Sequence, residues 1–260
     1  MALARRAGKI MVSTPPEITE YKGSKENFAT DTDLAIQEFL QKELLDILPG
    51  SEFLGEENAH ISKEKHLLWI VDPIDGTVNY SRGLSMSVIS IALVKDGVSV
   101  LGVVYNPYLD EMYHSVRGEG SYMNGKRLSV SDKPKEQSMV CTSWSAYDKT
   151  LAHDCFAISE KVQSECIDIR RFGTAAYELC LLARGSIDIY FEIALCPWDY
   201  AAGCLILEEA GGECGKLDRS IDFDHMCSFI GANSKENFEY MRTSVLDVIG
   251  DFRLNKSIWE

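Results

Sequence analysis

The sequence lacks both a long apolar run and any cysteine pair in a C-x-x-C arrangement. A membrane span needs about 20 consecutive apolar residues, and no stretch approaches that length. Near the amino terminus, the apolar run at residues 10–12 is soon ended by Pro15 and Pro16, which leaves it too short for a secretory signal. These absences predict a cytoplasmic protein that makes no membrane contact.

The 8 cysteines lie in mostly apolar surroundings. Structural zinc sites usually combine closely spaced cysteine pairs, which this chain does not have. A chain of 260 residues with 45% hydrophobic content can also bury a core without disulfide staples. We therefore expect reduced and mostly buried thiols, with neither a zinc site nor a disulfide framework.

Positive charge is scarce, because 26 Lys and Arg residues face 40 Asp and Glu residues, for a formal net charge of -14. No run of basic residues offsets this negative charge, and a negatively charged surface repels nucleic acid phosphates. We therefore expect no nucleic acid partner. Some of the carboxylates directly follow apolar strands, where an unpaired charge is costly, and these are the candidates for chemistry.

The chain has no linker rich in Pro, Gly or Ser and no internal repeat, which predicts a single domain over residues 1–260. Residues 1–135 predict a helix-flanked antiparallel sheet, with a helix at 30–48, strands at 52–54, 67–71, 86–94, 98–105 and 111–117, and a hairpin turn at Asn124-Gly125. Residues 136–260 predict an α/β half, with strands at 140–142, 167–170, 187–192 and 229–232 and helices at 174–183 and 198–210. The predicted fold class is α/β of the mixed α+β kind.

Two acids follow a buried strand at the centre of the first half. Because Pro73 cannot continue a strand ladder, we expect the strand to end at Asp72 and the turn to point Asp72 and Asp75 into one space. Two close carboxylates raise each other's pKa unless a cation lies between them, and oxygen ligands of this type suit Mg²⁺. Gly76 and Thr77 then begin a helical turn whose free N–H groups attract an anion such as phosphate. The alternative is an ordinary turn in which Asp75 caps a helix that begins at Gly76.

Two further acids occupy similar places. Glu56 follows the short strand at 52–54, and Asp199 begins a helix that continues with Ala201-Ala202-Gly203. Small residues there allow a helix or a ligand to approach closely. The alternative for Asp199 is an ordinary acid that favours the positive end of a helix dipole.

Three motifs in order make these segments resemble the inositol monophosphatase family. This family lies within a lithium-sensitive, metal-dependent phosphatase superfamily that also includes fructose-1,6-bisphosphatases and 3′-nucleotidases. The resemblance runs from Lys22 to Gly212, and its motifs are Gly55-Glu56-Glu57, residues 72–77 preceded by Trp69, and residues 198–203 followed by residues 208–212. It implies a layered α-β-α-β-α sandwich, a homodimer and two or three Mg²⁺ ions per site.

The resemblance also implies the metal ligands and the catalytic groups. The ligands would be Glu56, Asp72, Asp75, Asp199 and the backbone carbonyl of Ile74. Four carboxylates would balance two Mg²⁺ ions, so that a phosphate dianion meets a neutralised site. Water activated near Glu56 and Thr77 would attack phosphorus in line, without a covalent phosphoenzyme, while a second ion stabilises the leaving alkoxide. Asp33 would hydrogen-bond Thr77, and Lys22 and Glu57 would lie beside the metals.

The substrate contacts that the resemblance implies are Asp75, Gly76, Thr77, Gly173, Thr174, Ala175, Glu192 and Asp199. Glu192 would bind inositol, because a carboxylate accepts hydrogen bonds from adjacent ring hydroxyls. Read from the residues alone, Asp33 and Glu192 could be ordinary helix-start and strand-end acids, and Lys22 a solvated surface charge.

The sequence thus predicts a phosphoric monoester hydrolase that uses Mg²⁺ to convert inositol monophosphate to inositol and phosphate. A fructose-1,6-bisphosphatase or a 3′(2′),5′-bisphosphate nucleotidase would share every metal ligand and differ only in the pocket. A third alternative is a non-catalytic regulatory protein of the same fold that acts through a protein or RNA partner. Such a protein could lose a metal ligand, whereas Glu56, Asp72, Asp75 and Asp199 are all present here.

Overall fold

The computed structural model describes residues 1–25, 27–57, 66–144, 148–217, 221–224 and 226–250. The helices in these ranges are α1 (Ala2–Ser13), α2 (Asp31–Ile47), α3 (Thr77–Ser81), α4 (Ala152–Gln163), α5 (Ala175–Ala183), α6 (Pro197–Glu209) and α7 (Lys235–Ile249). The first strands are β1 (Ile18–Ser24), β2 (Asn27–Thr30), β3 (Glu52–Gly55), β4 (Leu67–Asp75), β5 (Val88–Lys95), β6 (Val98–Asn106) and β7 (Glu111–Val116). The remaining strands are β8 (Gly120–Met123), β9 (Lys126–Arg127), β10 (Met139–Trp144), β11 (Asp168–Arg170), β12 (Ile189–Leu195), β13 (Glu213–Lys216) and β14 (Cys227–Ala232).

Two large sheets and three helix layers alternate through the molecule. The first sheet has the order β3-β4-β5-β6-β7-β8-β9 and is antiparallel apart from the β3/β4 pair, and the second has the order β11-β10-β12-β14-β13. Helices α1 and α2 cover the outer face of the first sheet, α5 and α6 lie between the sheets, and α4 and α7 cover the outer face of the second. This α-β-α-β-α order confirms the predicted fold class.

The middle helix layer is apolar on every side. All residues of α5 are buried, as are most of α6, which is the pattern of helices enclosed by sheets. A Cβ atom added at Gly203 would lie 2.8 Å from the Cβ atom of Leu179 on α5. The small residues predicted to allow close approach therefore let α5 and α6 pack against each other, and this contact fixes the start of α6 near the ends of β4.

The structure corrects the predicted end of the central strand. Strand β4 does not stop at Asp72 but continues through Pro73 to Asp75. Its register with β5 shifts between the pairs Asp72/Ser90 and Asp75/Val88. Pro73 lies inside this irregularity, where the N–H group that proline lacks is not needed for a ladder hydrogen bond. The bulge, and not a turn after the strand, therefore directs the two aspartates.

Most other predicted elements are present with shifted ends. The helix predicted at 30–48 is α2, and the Asn124-Gly125 turn has positive φ at both residues, as a type I′ hairpin requires. The strand predicted at 187–192 begins later and runs on as β12 to Leu195. All 8 cysteines are free thiols. Among the described helices, none combines the length and the apolar character needed to cross a membrane.

Candidate active site

Three carboxylates converge where β4 ends and α6 begins. Asp72 and Asp75 come from the bulged end of β4 and Asp199 from the first turn of α6, and one oxygen of each lies within 4.8 Å of the others. They line a cavity of about 340 Å³ between the two sheets. Asp199 also accepts a hydrogen bond from the Cys196 N–H group, at 2.7 Å, within the first turn of α6. It is therefore a helix-start acid and a member of the cluster at once.

Burial and repulsion from neighbouring carboxylates raise the pKa values of all three acids. Burial is the largest cause for each, and the charge of Glu56 adds to it. The pKa of Asp75 rises only to about 6, because the Thr174 hydroxyl and the Ala176 N–H group oppose the effect of burial. Closely spaced carboxylate oxygens that resist ionising together are a fitting donor set for a hard divalent cation. The residues present therefore fit Mg²⁺.

Asp75 joins the bulge to the N-terminus of α5. Its Oδ2 atom accepts hydrogen bonds from Thr174 Oγ1, at 2.6 Å, and from the backbone N–H of Ala176, at 2.8 Å. Helix α3 is instead preceded by Gly76, at φ 86°, with no side-chain cap. The alternative in which Asp75 only caps a helix beginning at Gly76 is therefore wrong, because its carboxylate serves a different helix.

The predicted substrate loop lies directly against Gly76. A Cβ atom at Gly76 would come within 3.2 Å of the Gly173 carbonyl oxygen and of the Thr174 Cβ atom. Gly76, Thr77, Gly173 and Ala175 all line the cavity. The structure thus brings the predicted phosphate-binding turn and the predicted substrate loop to the same wall, beside the three carboxylates.

Thr77 and Asp33 form the predicted contact. The Thr77 hydroxyl lies 3.4 Å from Asp33 Oδ1 and 3.1 Å from the carbonyl oxygen of Ile74, so its single proton can serve either acceptor. Asp33 also accepts a hydrogen bond from the Thr30 N–H group, at 2.9 Å, in the capping box that begins α2. Burial is the main cause that raises its pKa to about 6. Asp33 is therefore both a helix-start acid and the partner of Thr77.

Glu56 lines the same cavity but its carboxylate is held by a cation. Lys22 Nζ lies 3.1 Å from Glu56 Oε1 and 2.7 Å from Glu57 Oε2. Burial lowers the pKa of Lys22, but the two glutamates outweigh burial, so its pKa is raised overall. Burial and the charge of Glu56 raise the pKa of Glu57 to about 7. Lys22 is thus an internal partner of two acids and not a freely solvated charge.

Glu192 reaches the cavity from β12. It accepts a hydrogen bond of 2.6 Å from the Tyr190 hydroxyl, and burial raises its pKa to about 7. The charge of Glu192 also acts on Glu178 of α5, which is fully buried and accepts a hydrogen bond of 2.9 Å from the Phe172 N–H group. Sequence reasoning missed Glu178, although an acid inside the apolar run of α5 was a usable signal.

An aromatic and cationic pair forms another part of the rim. Arg171 and Trp144 both line the cavity, and the Arg171 guanidinium carbon lies 4.4 Å from the centre of the Trp144 ring. The neighbouring Arg170 is exposed and pairs with Asp168 instead. Nothing in the local sequence marks Trp144, because its role depends on Arg171, a residue 27 positions away.

Asn79, which sequence reasoning also missed, donates hydrogen bonds to the carbonyl oxygens of Met86 and Phe172. These bonds connect α3 to the predicted substrate loop.

Comparison with known proteins agrees with this geometry. The sequence model of the inositol monophosphatase family matches residues 1–248. A protein named Nus factor SuhB, from Pasteurella multocida strain Pm70, is 35% identical over 214 residues, which are 80% of each chain. A protein named Inositol-1-monophosphatase, from Mesorhizobium japonicum, is 35% identical over 209 residues, 80% of this chain and 79% of its own.

A solved structure shares the whole architecture. The crystal structure of the extragenic suppressor protein suhB from Bartonella henselae superposes with a TM-score of 0.86 at 29% identity, covering 94% of this chain and 95% of that one. The family motifs, the layered fold and the converging carboxylates point the same way. The chain belongs to the inositol monophosphatase family.

Proposed function

We propose that this chain is a Mg²⁺-dependent phosphatase that hydrolyses inositol monophosphate to inositol and phosphate. The observation that carries the proposal is the convergence of Asp72, Asp75 and Asp199 beside the Thr77/Asp33 pair in one cavity. An enzyme of this class needs all of these groups together, whereas a binding protein needs none of them. Membership of the family and the relative named Inositol-1-monophosphatase support the same activity.

In the proposed reaction the chain's own residues orient the nucleophile and receive its proton. Bound Mg²⁺ would supply a lowered water pKa and charge stabilisation of the entering and leaving oxygens. Asp33 fixes the Thr77 hydroxyl, which positions the attacking water through a hydrogen bond. Glu56, held in place by Lys22, lines the same cavity and accepts the proton as the P–O ester bond breaks. The leaving oxygen of inositol takes its proton from solvent.

The choice of inositol rests on Glu192. Its carboxylate faces the cavity and can accept hydrogen bonds from ring hydroxyls, whereas a second phosphate placed against it would be repelled. Arg171, which lines the same cavity, favours a bisphosphate, because a guanidinium binds phosphate well. Fructose 1,6-bisphosphate and adenosine bisphosphate therefore remain the rival substrates.

A second candidate function comes from the relatives named Nus factor SuhB. Their name supports the alternative of a regulatory protein of this fold that acts through a protein or RNA partner. The net charge of -14 weighs against direct contact with nucleic acid. The complete set of carboxylates weighs against a regulatory role as the only function of the chain.

The proposed homodimer rests on the family resemblance, and the proposed cytoplasmic location rests on the sequence alone.

A substrate panel tests the proposal. Phosphate release is measured with and without Mg²⁺ from inositol 1-phosphate, fructose 1,6-bisphosphate, adenosine 3′,5′-bisphosphate and NADP. We expect the highest kcat/KM for inositol 1-phosphate and no release after chelation of the metal. A preference for fructose 1,6-bisphosphate would refute the inositol assignment, and no Mg²⁺-dependent release from any ester would refute the enzyme.

A further inference from the structure

A second group of potential metal ligands lies at the opposite end of α6 from Asp199. Cys204 and Glu208 are four residues apart and share one face of the helix, and Cys214 of β13 lies against them. One potential ligand atom of each lies within 4.8 Å of the other two. Helical rise places Glu208 about 13 Å along the axis from Asp199, so this group is separate from the active site.

The spacing of the three side chains matches a tetrahedral metal site. Glu208 Oε1 lies 3.7 Å from Cys204 Sγ and 3.6 Å from Cys214 Sγ. Zinc–sulfur and zinc–oxygen bonds of ordinary length give a sulfur-to-oxygen edge of about 3.6 Å in a tetrahedron. An ion could therefore enter between the three atoms with little movement of the chain.

Neighbouring contacts orient the carboxylate for this purpose. Arg117 NH2 lies 2.8 Å from Glu208 Oε2, the oxygen that faces away from the thiols, and Arg117 Nε donates to the Ser99 carbonyl oxygen at 2.7 Å. Such outer contacts hold a metal ligand in one orientation. The adjacent Glu209 is engaged elsewhere, since it accepts hydrogen bonds from two backbone N–H groups of the β7/β8 turn.

The group combines buried sulfur with access to solvent. Cys204 is only 4% exposed, while the side chain of Glu208 is 33% exposed. Two thiolates and one carboxylate form a soft donor set that favours Zn²⁺ over Mg²⁺, and a water molecule would be the fourth ligand of a tetrahedral ion. The sequence argues against zinc because no C-x-x-C pair is present, but folding brings together cysteines from a helix and a strand.

We propose that Cys204, Glu208 and Cys214 bind one Zn²⁺ ion per chain, at a site distinct from the carboxylates of the active site. Binding breaks two S–H bonds, forms two zinc–sulfur bonds and releases two protons to solvent, so affinity rises with pH. The ion links the C-terminal end of α6 to β13, which follows it in the chain. Its effect is to stabilise the middle layer of the fold.

Metal binding with the full chain tests the proposal. The chelator-treated protein, in reducing buffer with excess Mg²⁺, is dialysed against Zn²⁺ and analysed for bound zinc, and Co²⁺ is used as a spectroscopic probe. We expect one Zn²⁺ per chain that Mg²⁺ does not displace, and a thiolate-to-cobalt absorption band. At a hundredfold excess of Zn²⁺ over its Kd, the Tm should rise by about 5 °C.

Matched variants separate this site from other thiols. Cys214→Ser should lose the zinc equivalent, the cobalt band and the Tm rise, whereas Cys166→Ser, a half-buried thiol elsewhere, should keep all three. Glu208→Gln should weaken zinc affinity by about tenfold or more, and it keeps the test valid if Cys214→Ser fails to fold. Wild-type zinc affinity in Glu208→Gln or in a folded Cys214→Ser, or a wild-type protein that binds no zinc beside Mg²⁺, would overturn the proposal.

Discussion

At the scale of single residues, each acid of the site has a partner that limits what it can do. Asp75 is held by the N-terminus of α5, Glu56 by Lys22 and Asp33 by the start of α2. Each carboxylate thus has one oxygen committed to the fold and another that can serve the reaction. Loss of a side chain here therefore has a structural cost as well as a chemical one, so conservative variants give the clearest tests.

Thr77→Ala should slow the chemical step far more than it weakens Mg²⁺ binding. The Thr77 hydroxyl contacts Asp33 and the Ile74 carbonyl oxygen. Thr77 is not one of the three clustered residues that are proposed to bind Mg²⁺. Loss of a group that positions water in the transition state typically costs about a hundredfold or more in rate. Single-turnover rates and Mg²⁺ titrations measure the two effects separately. Thr77→Ser is the control and should recover most of the rate, while equal losses in rate and affinity would make Thr77 a purely structural residue.

Glu192→Gln should lower kcat/KM for inositol 1-phosphate by about tenfold, because a lost charge-assisted hydrogen bond to a substrate hydroxyl costs about 1 to 3 kcal/mol. The amide oxygen of the substituted side chain would still accept the hydrogen bond from Tyr190, which preserves the local structure. Glycerol 2-phosphate, which is too short to reach this side chain, should be hydrolysed at the wild-type rate. An equal loss with both substrates would remove Glu192 from substrate recognition.

At the scale of elements, α5 carries an acid into an apolar layer. Glu178 is fully buried, and its pKa is raised from 4.5 to about 8, first by burial and then by the charge of Glu192. The folded chain therefore holds this proton more tightly than the unfolded chain does. The contribution of Glu178 to the free energy of unfolding is largest below the unfolded pKa of 4.5. It falls as pH rises towards the folded pKa of about 8 and has been lost at higher pH.

Glu178→Gln should remove this pH dependence. The variant keeps an oxygen that accepts from the Phe172 N–H group but carries no charge. We expect wild type and variant to have nearly equal unfolding free energies at pH 4, below the unfolded pKa of 4.5, and the variant to be more stable by about 2 kcal/mol or more at pH 9. Denaturant unfolding in metal-free buffer measures this. Glu160→Gln, at an exposed position on α4, is the control, and an equal difference at both pH values would exclude a buried charge at Glu178.

The elements also show how far the sequence could predict the structure. Helix α2 and the hairpin turn at Asn124 follow from local periodicity and turn chemistry, and the structure has them where predicted. The bulge at Pro73 could not be predicted, because it depends on the register of β4 against β5. The same holds for the Arg171 and Trp144 pair, whose members come from separate segments. Local patterns identified the acids, while long-range packing decided which groups face them.

At the scale of the whole molecule, the acidic balance and the metals have to be considered together. A chain with net charge -14 repels an anionic substrate. The buried carboxylates also repel one another in the absence of a cation, which opposes folding. The proposed Mg²⁺ ions would reduce both the repulsion of the substrate and the repulsion among the carboxylates, so metal binding should stabilise the fold as well as permit the reaction.

The Tm of the wild-type protein should therefore be about 5 °C lower without Mg²⁺ than with Mg²⁺ at a hundredfold excess over its Kd. Asp75→Asn, which keeps hydrogen-bond acceptors for Thr174 and Ala176 but loses a charge, should show little or no such shift. Thermal melts with Mg²⁺ and with a chelator measure both. The exposed Asp132→Asn is the matched control and should respond as wild type does.

The most direct test of the account is Mg²⁺-dependent phosphate release from inositol 1-phosphate by the wild type and by Asp75→Asn. The account predicts release by the wild type and by Asp132→Asn only when Mg²⁺ is present. It also predicts almost complete loss of turnover in Asp75→Asn, with the metal-free melting temperature preserved. Release by Asp75→Asn at the wild-type rate would contradict the claim that the converging carboxylates form the catalytic metal site.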